Sequence, residues 1–395
     1  MVRAMTVLLD LKEKLREAYT VTLASLIVSL IIGFFGGTFL GKYFNKIRST
    51  YPGILVILPG MMGLRGNVFS SMASRFSTML YLGDLEPKIR EKKVLRNIVI
   101  AMLLSLIPVT LLWLIAILRG VRVHSFQILL IVISSTILVS LLLGYFTAFV
   151  TIFSFKRGTD PDSVAAPLVA SMGDLLTIPS LIMFILILES FKLAFWTSNL
   201  LLIGLLILLV DISKIRRAEL LEFKELFIII TLLALLSLIS GFTLEKFSHL
   251  IQASIILGFA YPSLLSSFGN YGSVIAAKTS TRLHLGEIDK FFSLEPFLEI
   301  LALFATTPII GLLINLFGIV VASLTLGISV KPIYALALTY PFMALFIMLY
   351  SYTISYFLFK KNIDPDNVAI PLISNNSDIF GTLYAVLIAK LIVGG

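Results

Sequence analysis

Long stretches without charged side chains are the feature that most constrains the fold of this chain. A helix needs about 20 apolar residues to cross the hydrocarbon core of a bilayer, and ten runs of that length carry few or no charges. An eleventh, Pro52–Leu82, is interrupted by Pro59, Arg65 and Arg75. Apolar residues make up 58% of the chain and charged residues 13%, whereas soluble domains have about 45–50% and about 25%. The sequence therefore predicts an all-α polytopic membrane protein with about 11 spans, and it excludes a soluble enzyme.

Basic residues lie in short clusters between these apolar runs. A formal net charge of +9 is also found in nucleic-acid-binding proteins, but clusters at the ends of spans are typical of membrane flanks. We therefore expect the lipid bilayer as a partner and no nucleic acid. The chain has no Cys, which excludes thiolate metal sites and Cys nucleophiles. The predicted spans other than Pro52–Leu82 are Val21–Leu40, Asn97–Leu118, Ser125–Phe155, Ser163–Leu188, Leu193–Val210, Leu226–Leu244, Leu250–Ala277, Ile300–Val330, Pro332–Phe359 and Asn367–Ala389.

The distribution of Lys and Arg predicts an orientation. With the N-terminus inside, 18 Lys and Arg fall in inside segments and 9 in outside segments, which agrees with the positive-inside rule. A multi-pass protein of the cell membrane is predicted, with a cytoplasmic N-terminus and the C-terminus outside. Residues 1–20 carry no signal-peptide pattern; they suit either a short amphipathic helix or an unstructured start to the first span.

Two segments of the chain are duplicated. Pro59–Leu85 matches Pro262–Ile288 at an offset of 203 residues, and this match aligns Gly66-Asn67 with Gly269-Asn270. A second match, at an offset of 204, aligns the segment from Gly158 to Leu176 with that from Asn362 to Phe380. Two ungapped matches at nearly the same offset indicate an internal repeat.

The repeats predict the domain organisation. Residues 21–190 and 226–395 each hold five predicted spans, and residues 191–225 form a linker that contains one further span. The extra crossing gives both five-helix repeats the same orientation, with a pseudo-two-fold axis along the membrane normal and a central pathway between the repeats. Such an internal pseudo-dimer could function as a monomer.

Asp174 and Asp378 are the candidate ion-binding residues. Eleven uncharged residues precede each of them in its span, so each carboxylate lies roughly 16 Å along its helix, near the middle of the membrane. An ionisable group at that depth normally marks a pathway or pairs with a partner. The alternative is that each carboxylate is tied to Arg65, Arg75 or Lys278 in a neighbouring span.

Neutral oxygen atoms surround these two positions in the sequence. Ser171 precedes Asp174 by three residues, whereas Asn375 and Ser374 precede Asp378 by three and four. Residues three or four apart share a helical face. Carboxylates with neutral oxygens, and no His or Cys, suit a hard divalent cation such as Mg²⁺, which keeps several waters. No cofactor is expected other than Mg²⁺ as the transported ion, and no catalytic residue is identified.

The Gly-Asn pairs suggest two roles. Gly66-Asn67 and Gly269-Asn270 could permit non-helical backbone that lines a polar pathway at membrane depth. They could instead allow close helix packing through small residues. Of the two, pore lining by Asn67 and Asn270 is favoured.

Two Asp-Pro-Asp segments precede the spans that carry Asp174 and Asp378. They contain Asp160 and Asp162 in the first repeat, and Asp364 and Asp366 in the second. Acidic residues at helix starts favour capping, whereas four carboxylates on one side also suit a vestibule that attracts cations.

The duplicated motifs resemble those of a known family. GNVFSSMASRFSTMLYLGDL and GNYGSVIAAKTSTRLHLGEI, starting at Gly66 and Gly269, resemble the second-span signature of the MgtE magnesium channels, and the segments around Asp174 and Asp378 resemble the fifth. The resemblance implies two fused five-span domains, as in the eukaryotic solute-carrier relatives of MgtE. It also implies that Asp174 and Asp378 bind the ion, and that Asn67 and Asn270 are the polar residues of the second span. No counterpart of the soluble magnesium sensor of bacterial MgtE is expected.

Divalent cation transport, with Mg²⁺ as the ion, is the function that these features predict. A passive channel and a coupled exchanger would use the same oxygens, and Mn²⁺ or Co²⁺ would suit them as well. The alternative is an intramembrane aspartyl protease that uses Asp174 and Asp378. That chemistry needs two carboxylates in different roles, whereas these two lie in duplicated surroundings.

Overall fold

A computed structural model describes residues 11–157, 161–215, 223–363 and 365–393, and within these ranges the regular structure is helical without a β-strand. The first helix contains one π-helical turn at Ala18–Thr22. The helices are α1 Leu11–Thr50, α2 Pro52–Tyr81, α3 Lys92–Leu118, α4 Ser125–Lys156, α5 Pro161–Ser190, α6 Lys192–Ser213, α7 Lys224–Lys246, α8 Ser248–Ala253, α9 Ile255–His284, α10 Leu294–Phe304, α11 Thr307–Leu326, α12 Tyr334–Lys360 and α13 Pro365–Val393.

Every predicted span falls on these helices. In the described part of the chain, nine helical segments are long and apolar enough to cross a membrane, and one of them joins α10 to α11. The predicted spans Leu250–Ala277 and Asn367–Ala389 lie mainly on α9 and α13, which hold the polar duplicated motifs and are not among the nine. The all-α multi-pass fold with an internal repeat is confirmed, whereas the count of eleven crossings and the orientation of the repeats stay predictions.

The second helix of each repeat is continuous. α2 runs through Pro59 and the Gly66-Asn67 pair without interruption, and α9 runs through Pro262 and Gly269-Asn270 in the same way. The prediction of broken spans with non-helical backbone at these pairs is therefore wrong. A proline removes one backbone donor, and membrane helices tolerate it because neighbouring groups satisfy the freed carbonyl.

The chain divides into two compact units. One, the Asp174 unit, is residues 43–246, and the other, the Asp378 unit, combines residues up to 42 with those from Phe247 onward. Helix α7 begins the second predicted repeat but lies in the Asp174 unit, whereas most of α1 lies in the Asp378 unit. The first helix of each repeat therefore packs in the compact unit of the other repeat. The repeat boundaries 21–190 and 226–395, which follow the duplicated sequence, stay a prediction.

Glycines make this exchange sterically feasible. A Cβ atom built at Gly37 on α1 would lie 1.9 Å from the Phe259 carbonyl oxygen on α9. A Cβ atom at Gly241 on α7 would lie 1.8 Å from the Val56 carbonyl oxygen on α2. These contacts correspond to each other, since Gly241 follows Gly37 by 204 residues and Phe259 follows Val56 by 203. Small residues that let helix backbones approach closely are typical of membrane helix packing.

Helix α6, which lies in the predicted linker 191–225, is largely exposed. Its buried residues are Phe195, Asn199 and Ser213, whereas Leu200 and Leu201 are among its exposed apolar residues. One polar contact attaches it to α4, because the Ser134 hydroxyl donates to Asn199 Oδ1 at 2.6 Å. An apolar helix with such an outer face suits contact with lipid.

Candidate functional site

The two duplicated motifs of each repeat meet where two helices cross. In the Asp174 unit, a Cβ atom at Gly66 on α2 would lie 3.9 Å from the Ala170 Cβ atom on α5. In the Asp378 unit, a Cβ atom at Gly269 on α9 would lie 3.7 Å from the Ser374 Oγ atom on α13. Ala170 and Ser374 are equivalent at the offset of 204 residues. The Gly-Asn motifs therefore lie in ordinary van der Waals contact with the helices that carry Asp174 and Asp378, and whether they line the pore or serve close packing stays a prediction.

Asp174 lies on α5 beside this crossing and is partly buried. The preceding residue, Gly173, is buried, and a Cβ atom there would lie 3.8 Å from the Gly66 backbone nitrogen. Thr177, one turn after Asp174, donates its hydroxyl to the Gly173 carbonyl at 2.6 Å, while Ser171, one turn before, is partly buried. Of the neighbouring hydroxyls, Thr177 is engaged by the helix backbone.

Asp378 occupies the equivalent place on α13 and is also partly buried. Ser374 on the preceding turn is partly buried, and the exposed fraction of Asn375 is 2%. The Thr382 hydroxyl donates to the Asp378 carbonyl at 2.7 Å and shares a 2.8 Å hydrogen bond with the Tyr261 hydroxyl on α9. A polar contact thus links α13 to α9 one turn after the carboxylate.

The two asparagines of the Gly-Asn pairs differ in their surroundings. Asn270 donates its side-chain amide to Ser29 Oγ on α1 at 2.8 Å. Asn67 is partly buried on α2. The residue on α7 that corresponds to Ser29 at the offset of 204 is Leu233, which has no hydroxyl. Asn270 therefore binds the exchanged first helix through a contact that the sequence of the first repeat does not offer.

Arg65 lies at the crossing of α2 and α5 and is 0% exposed. Its Cβ atom lies 3.6 Å from the position of a Cβ atom at Gly173, and its Nη2 donates to the Ser135 hydroxyl at 3.3 Å. The alternative, that Asp174 is tied to a basic residue of a neighbouring span, stays a prediction. At the equivalent position the second repeat has Phe268, so this arginine is not duplicated.

The Asp-Pro-Asp segments lie at the edge of the described residues. Helices α5 and α13 begin at Pro161 and Pro365, and proline is favoured at the first helical position. Asp162 and Asp366 are the next residues of these helices. Asp160 and Asp364, together with the side chains of Asp162 and Asp366, fall outside the described residues.

Each unit offers a sparse set of oxygen ligands. Among residues 11–157, 161–215, 223–363 and 365–393, no three His, Cys, Asp or Glu side chains are grouped so that they could hold a metal ion. One carboxylate per repeat with neutral oxygens nearby would leave most ligand positions of a bound ion to water. Mg²⁺ suits such a set, because it gives up its waters reluctantly.

An ion-pair network in the Asp378 unit is not evident from the sequence. Glu299 on α10 is only 4% exposed and binds three cations, namely Lys14 at 3.3 Å, Arg282 at 3.2 Å and Lys278. Glu295 adds contacts to Arg282 at 2.8 Å and to Lys14 at 3.4 Å. Glu299 follows a charged stretch before a predicted span, a place typical of a solvated carboxylate, but it is buried by three cations that come from α9 and from the start of α1, far away in the sequence.

The first repeat has a different arrangement at the equivalent position. Arg75, which aligns with Lys278, donates to the Asn97 side chain at 3.0 Å. Its guanidinium also lies over the Phe223 ring at 3.8 Å from the centroid. Both cations lie in the same turn of the second helix of their repeat. The described partners of Arg75 include an amide and an aromatic ring, whereas Lys278 binds carboxylates.

A family of known transporters shares the two motif regions. The profile of the MgtE family, described as a divalent cation transporter, matches residues 58–184 and 261–388. These segments contain the crossings α2–α5 and α9–α13 and omit the exchanged first helices. The family is one of transporters rather than enzymes, and nothing in the match supports the aspartyl protease alternative.

Relatives from animals show the same similarity. Solute carrier family 41 member 3 of Rattus norvegicus is 25% identical over 361 residues, which cover 83% of this chain and 77% of that protein. Solute carrier family 41 member 2 of Gallus gallus is 26% identical over 184 residues, which cover 42% of this chain and 32% of that protein. The matched part thus spans about a third of the member 2 relative, and no solved structure matches the chain significantly. Because the family profile covers more than half of the sequence in two segments, the chain belongs to the MgtE family of divalent cation transporters.

Proposed function

We propose that this chain transports divalent cations, with Mg²⁺ as the principal ion, and that Asp174 and Asp378 are the carboxylates that bind it. The observation that carries the proposal is the duplicated helix crossing. In both repeats the Gly-Asn helix packs against the turn just before a partly buried aspartate. An aspartate inside a membrane helix is costly and normally marks an ion pathway.

The surrounding groups suit a hydrated ion. Ser171 lies one turn from Asp174, and Ser374 and Asn375 lie one turn from Asp378. We assign these oxygens, with Asn67 and Asn270, to ion coordination directly or through bound water. A site with few protein ligands releases the ion readily, and conduction requires that binding be weak enough for the ion to leave.

The proposal extends to the assembly and the entrance. One chain carries both repeats, so we infer that a single chain is the functional unit and that it needs no cofactor beyond the transported ion. Asp160, Asp162, Asp364 and Asp366 form a vestibule on the cytoplasmic side, whose effect extends over a Debye length of about 8–10 Å. Changing all four to Asn should lower the flux from that side at low salt, and added salt should remove the deficit.

Orientation is tested with the same chain, since it has no native Cys. The charge distribution places Glu91 in a cytoplasmic loop and Gly394 outside. Single cysteines at the two positions should react with an impermeant reagent from opposite sides. Labelling from the same side would overturn the count of eleven spans and the parallel orientation of the repeats.

The central test is Mg²⁺ uptake into proteoliposomes. Asp174→Ala and Asp378→Ala should each lower the uptake rate by about tenfold or more, because each removes a charge that binds the ion. Asn at either position should be milder, since it keeps an oxygen ligand. Glu86→Gln, which changes an exposed ion pair with Lys88, is the control and should transport like the wild type.

A folded Asp174→Ala, Asp378→Ala double mutant with wild-type uptake would overturn the proposal. Repeating the assay with and without a sodium or proton gradient distinguishes the two transport modes. A rate that depends on the gradient at constant membrane potential indicates an exchanger, whereas a rate set by the Mg²⁺ gradient and the potential alone indicates a channel.

A further inference from the structure

Helix α1 contributes a hydroxyl to the Gly-Asn motif of the second repeat. Asn270 on α9 donates its side-chain amide from Nδ2 to Ser29 Oγ at 2.8 Å. Ser29 Oγ also lies 3.4 Å from Ser266 Oγ, one turn earlier on α9. Because Ser29 Oγ accepts the amide hydrogen, its own proton is available to Ser266. These contacts hold the donor end of the Asn270 amide against α1.

The packing of α1 sets the position of this hydroxyl. Gly33, one turn after Ser29, approaches α9 so closely that a Cβ atom there would lie 2.8 Å from Ser263 Oγ. Gly37, one turn further, meets the Phe259 carbonyl. Ser29, Gly33 and Gly37 are spaced four residues apart and therefore lie on one face of α1. The two glycine contacts bring this face close to α9 and place Ser29 beside the Gly-Asn motif.

The other end of the Asn270 amide is open. Oδ1 accepts no hydrogen bond from any residue that the structure describes, and the side chain is partly exposed. The neighbouring residue, Gly269, lies against Ser374 on α13, one turn before Asp378. An amide oxygen can bind a hard divalent cation directly or through water. Because the donor end faces α1, the oxygen is left for such an ion.

The first repeat lacks this hydroxyl. Leu233 on α7 is equivalent to Ser29 at the offset of 204 residues, and Gly63 on α2 is equivalent to Ser266 at the offset of 203. Neither of the two replacements has a side-chain atom that could accept a hydrogen bond from Asn67. A first-helix hydroxyl at this position is therefore specific to the second repeat.

We propose that Ser29 is a positioning residue of the cation site, through which α1 completes the site at Asp378. Its hydroxyl accepts the amide hydrogen of Asn270, so the amide oxygen is directed to the ion or to a water of its hydration shell. This inference rests on the proposed role of Asn270 in ion coordination. Without Ser29, the amide N–H group would lack its acceptor in the membrane, which is costly. The amide could also rotate, because the terminal torsion of Asn has a broad, two-fold profile.

The first experiment measures Mg²⁺ binding to the full chain in detergent by titration calorimetry, together with the KM and the maximal rate of uptake. Ser29→Ala should weaken Mg²⁺ binding about fivefold, which is the contribution of one neutral hydrogen bond. The KM should rise in parallel, while the maximal rate is kept. Ser29→Thr retains the hydroxyl and should restore the affinity. Ser25→Ala is the matched control and should bind like the wild type, because the Ser25 hydroxyl donates to the Thr22 carbonyl of its own helix at 2.8 Å.

A change of Asn270 itself separates positioning from helix packing. Asn270→Asp offers two oxygens and no N–H group, so the orientation of this side chain no longer matters. In the Asn270→Asp background, Ser29→Ala should therefore have no further effect on Mg²⁺ binding. An equal loss of affinity in both backgrounds would show that Ser29 supports the helices only, and the proposal would be wrong. Wild-type affinity in folded Ser29→Ala would also overturn it.

Asn270→Ala distinguishes a failure of this inference from a failure of the proposed function. If Asn270→Ala weakens Mg²⁺ binding and Ser29→Ala does not, Asn270 binds the ion without help from α1, and only the role of Ser29 is wrong. If folded Asn270→Ala binds Mg²⁺ like the wild type, the assignment of Asn270 to ion coordination is wrong, and the role of Ser29 is lost with it. The Tm of each variant without Mg²⁺ shows whether it is folded.

Discussion

The two repeats agree in how their helices pack and differ in the charges near the carboxylates. Gly37 on α1 meets the Phe259 carbonyl, and Gly241 on α7 meets the Val56 carbonyl, at equivalent places. Yet Arg65 accompanies Asp174, whereas Phe268 fills the equivalent place in the second repeat. Where a helix backbone touches a carbonyl oxygen at such a distance, only glycine fits, so both repeats have glycine there. A side chain beside the carboxylate is free to diverge as long as the volume is filled.

The same contrast is found near the C-terminal ends of α2 and α9. Arg75 binds Asn97 and Phe223 in the Asp174 unit, while Lys278 joins a network around Glu299 in the Asp378 unit. Each repeat keeps a cation near the end of its second helix, and the contacts that the structure describes for the two cations differ. The two repeats therefore share their helix packing, whereas the charged side chains near their second helices differ.

The largest effect is expected where the repeats agree. Gly37→Ala and Gly241→Ala each place a methyl group within 2 Å of a backbone carbonyl oxygen, so two helices must move apart. Overpacking of this kind should cost about 3 kcal/mol or more, read as a fall in Tm of the purified protein. Gly204→Ala is the control, because nothing lies within 4 Å of its Cβ position. If both substitutions lower the Tm no more than the control does, the exchange of first helices is not a tight contact.

A smaller effect is expected where the repeats differ in charge. Glu299→Gln removes the anion that binds Lys14, Lys278 and Arg282. Breaking a fully buried pair costs about 3–5 kcal/mol. Here the cost should be about 2 kcal/mol, because the side chains of Lys278 and Arg282 are 27% and 20% exposed and regain water.

The counterpart substitution in the other repeat should be milder. Asn97→Ala leaves Arg75 on the Phe223 ring, so the Tm should fall by less than in Glu299→Gln. The exposed pair of Glu86 and Lys88 provides a second reference, and Glu86→Gln should leave the Tm unchanged. Equal losses in Glu299→Gln and Asn97→Ala would mean that the two electrostatic arrangements stabilise their units equally.

The positions of the helices and the equivalence of the two repeats can be predicted from the sequence, because they depend on apolar runs and on duplicated motifs. Apolar runs locate the helices, and the offsets of 203 and 204 residues identify Asp174 and Asp378 as equivalent. The exchange of first helices is not predictable in this way, because α1 and α7 are similarly apolar and either partner would bury them. Glu299 is also missed, since its cations come from two distant segments. Pro59 suggested a break in α2, but packing on both sides of the helix maintains its helical path.

The smallest effect concerns the hydroxyl pairs behind the carboxylates. In the first repeat Ser135 binds both Ser180 and Arg65, so Ser135→Ala removes the one hydrogen bond that the described structure gives the guanidinium. In the second repeat Thr339 and Tyr384 share a 2.8 Å hydrogen bond. Thr339→Val keeps the shape of the side chain, and Tyr384 retains a 3.2 Å bond to the Leu336 carbonyl. Single hydrogen bonds between membrane helices are worth about 0.6 kcal/mol on average.

We therefore expect Ser135→Ala to cost about 1 kcal/mol and Thr339→Val to have little effect on the Tm. The larger loss of stability in Ser135→Ala than in Thr339→Val should disappear when Ser135→Ala is made in the Arg65→Gln background, because the charged donor is then absent. A loss from Ser135→Ala that is the same with and without Arg65 would show that the hydroxyl pair supports the helices rather than the guanidinium. In that case the two repeats would differ in the residue beside the carboxylate but not in the polar contacts behind it.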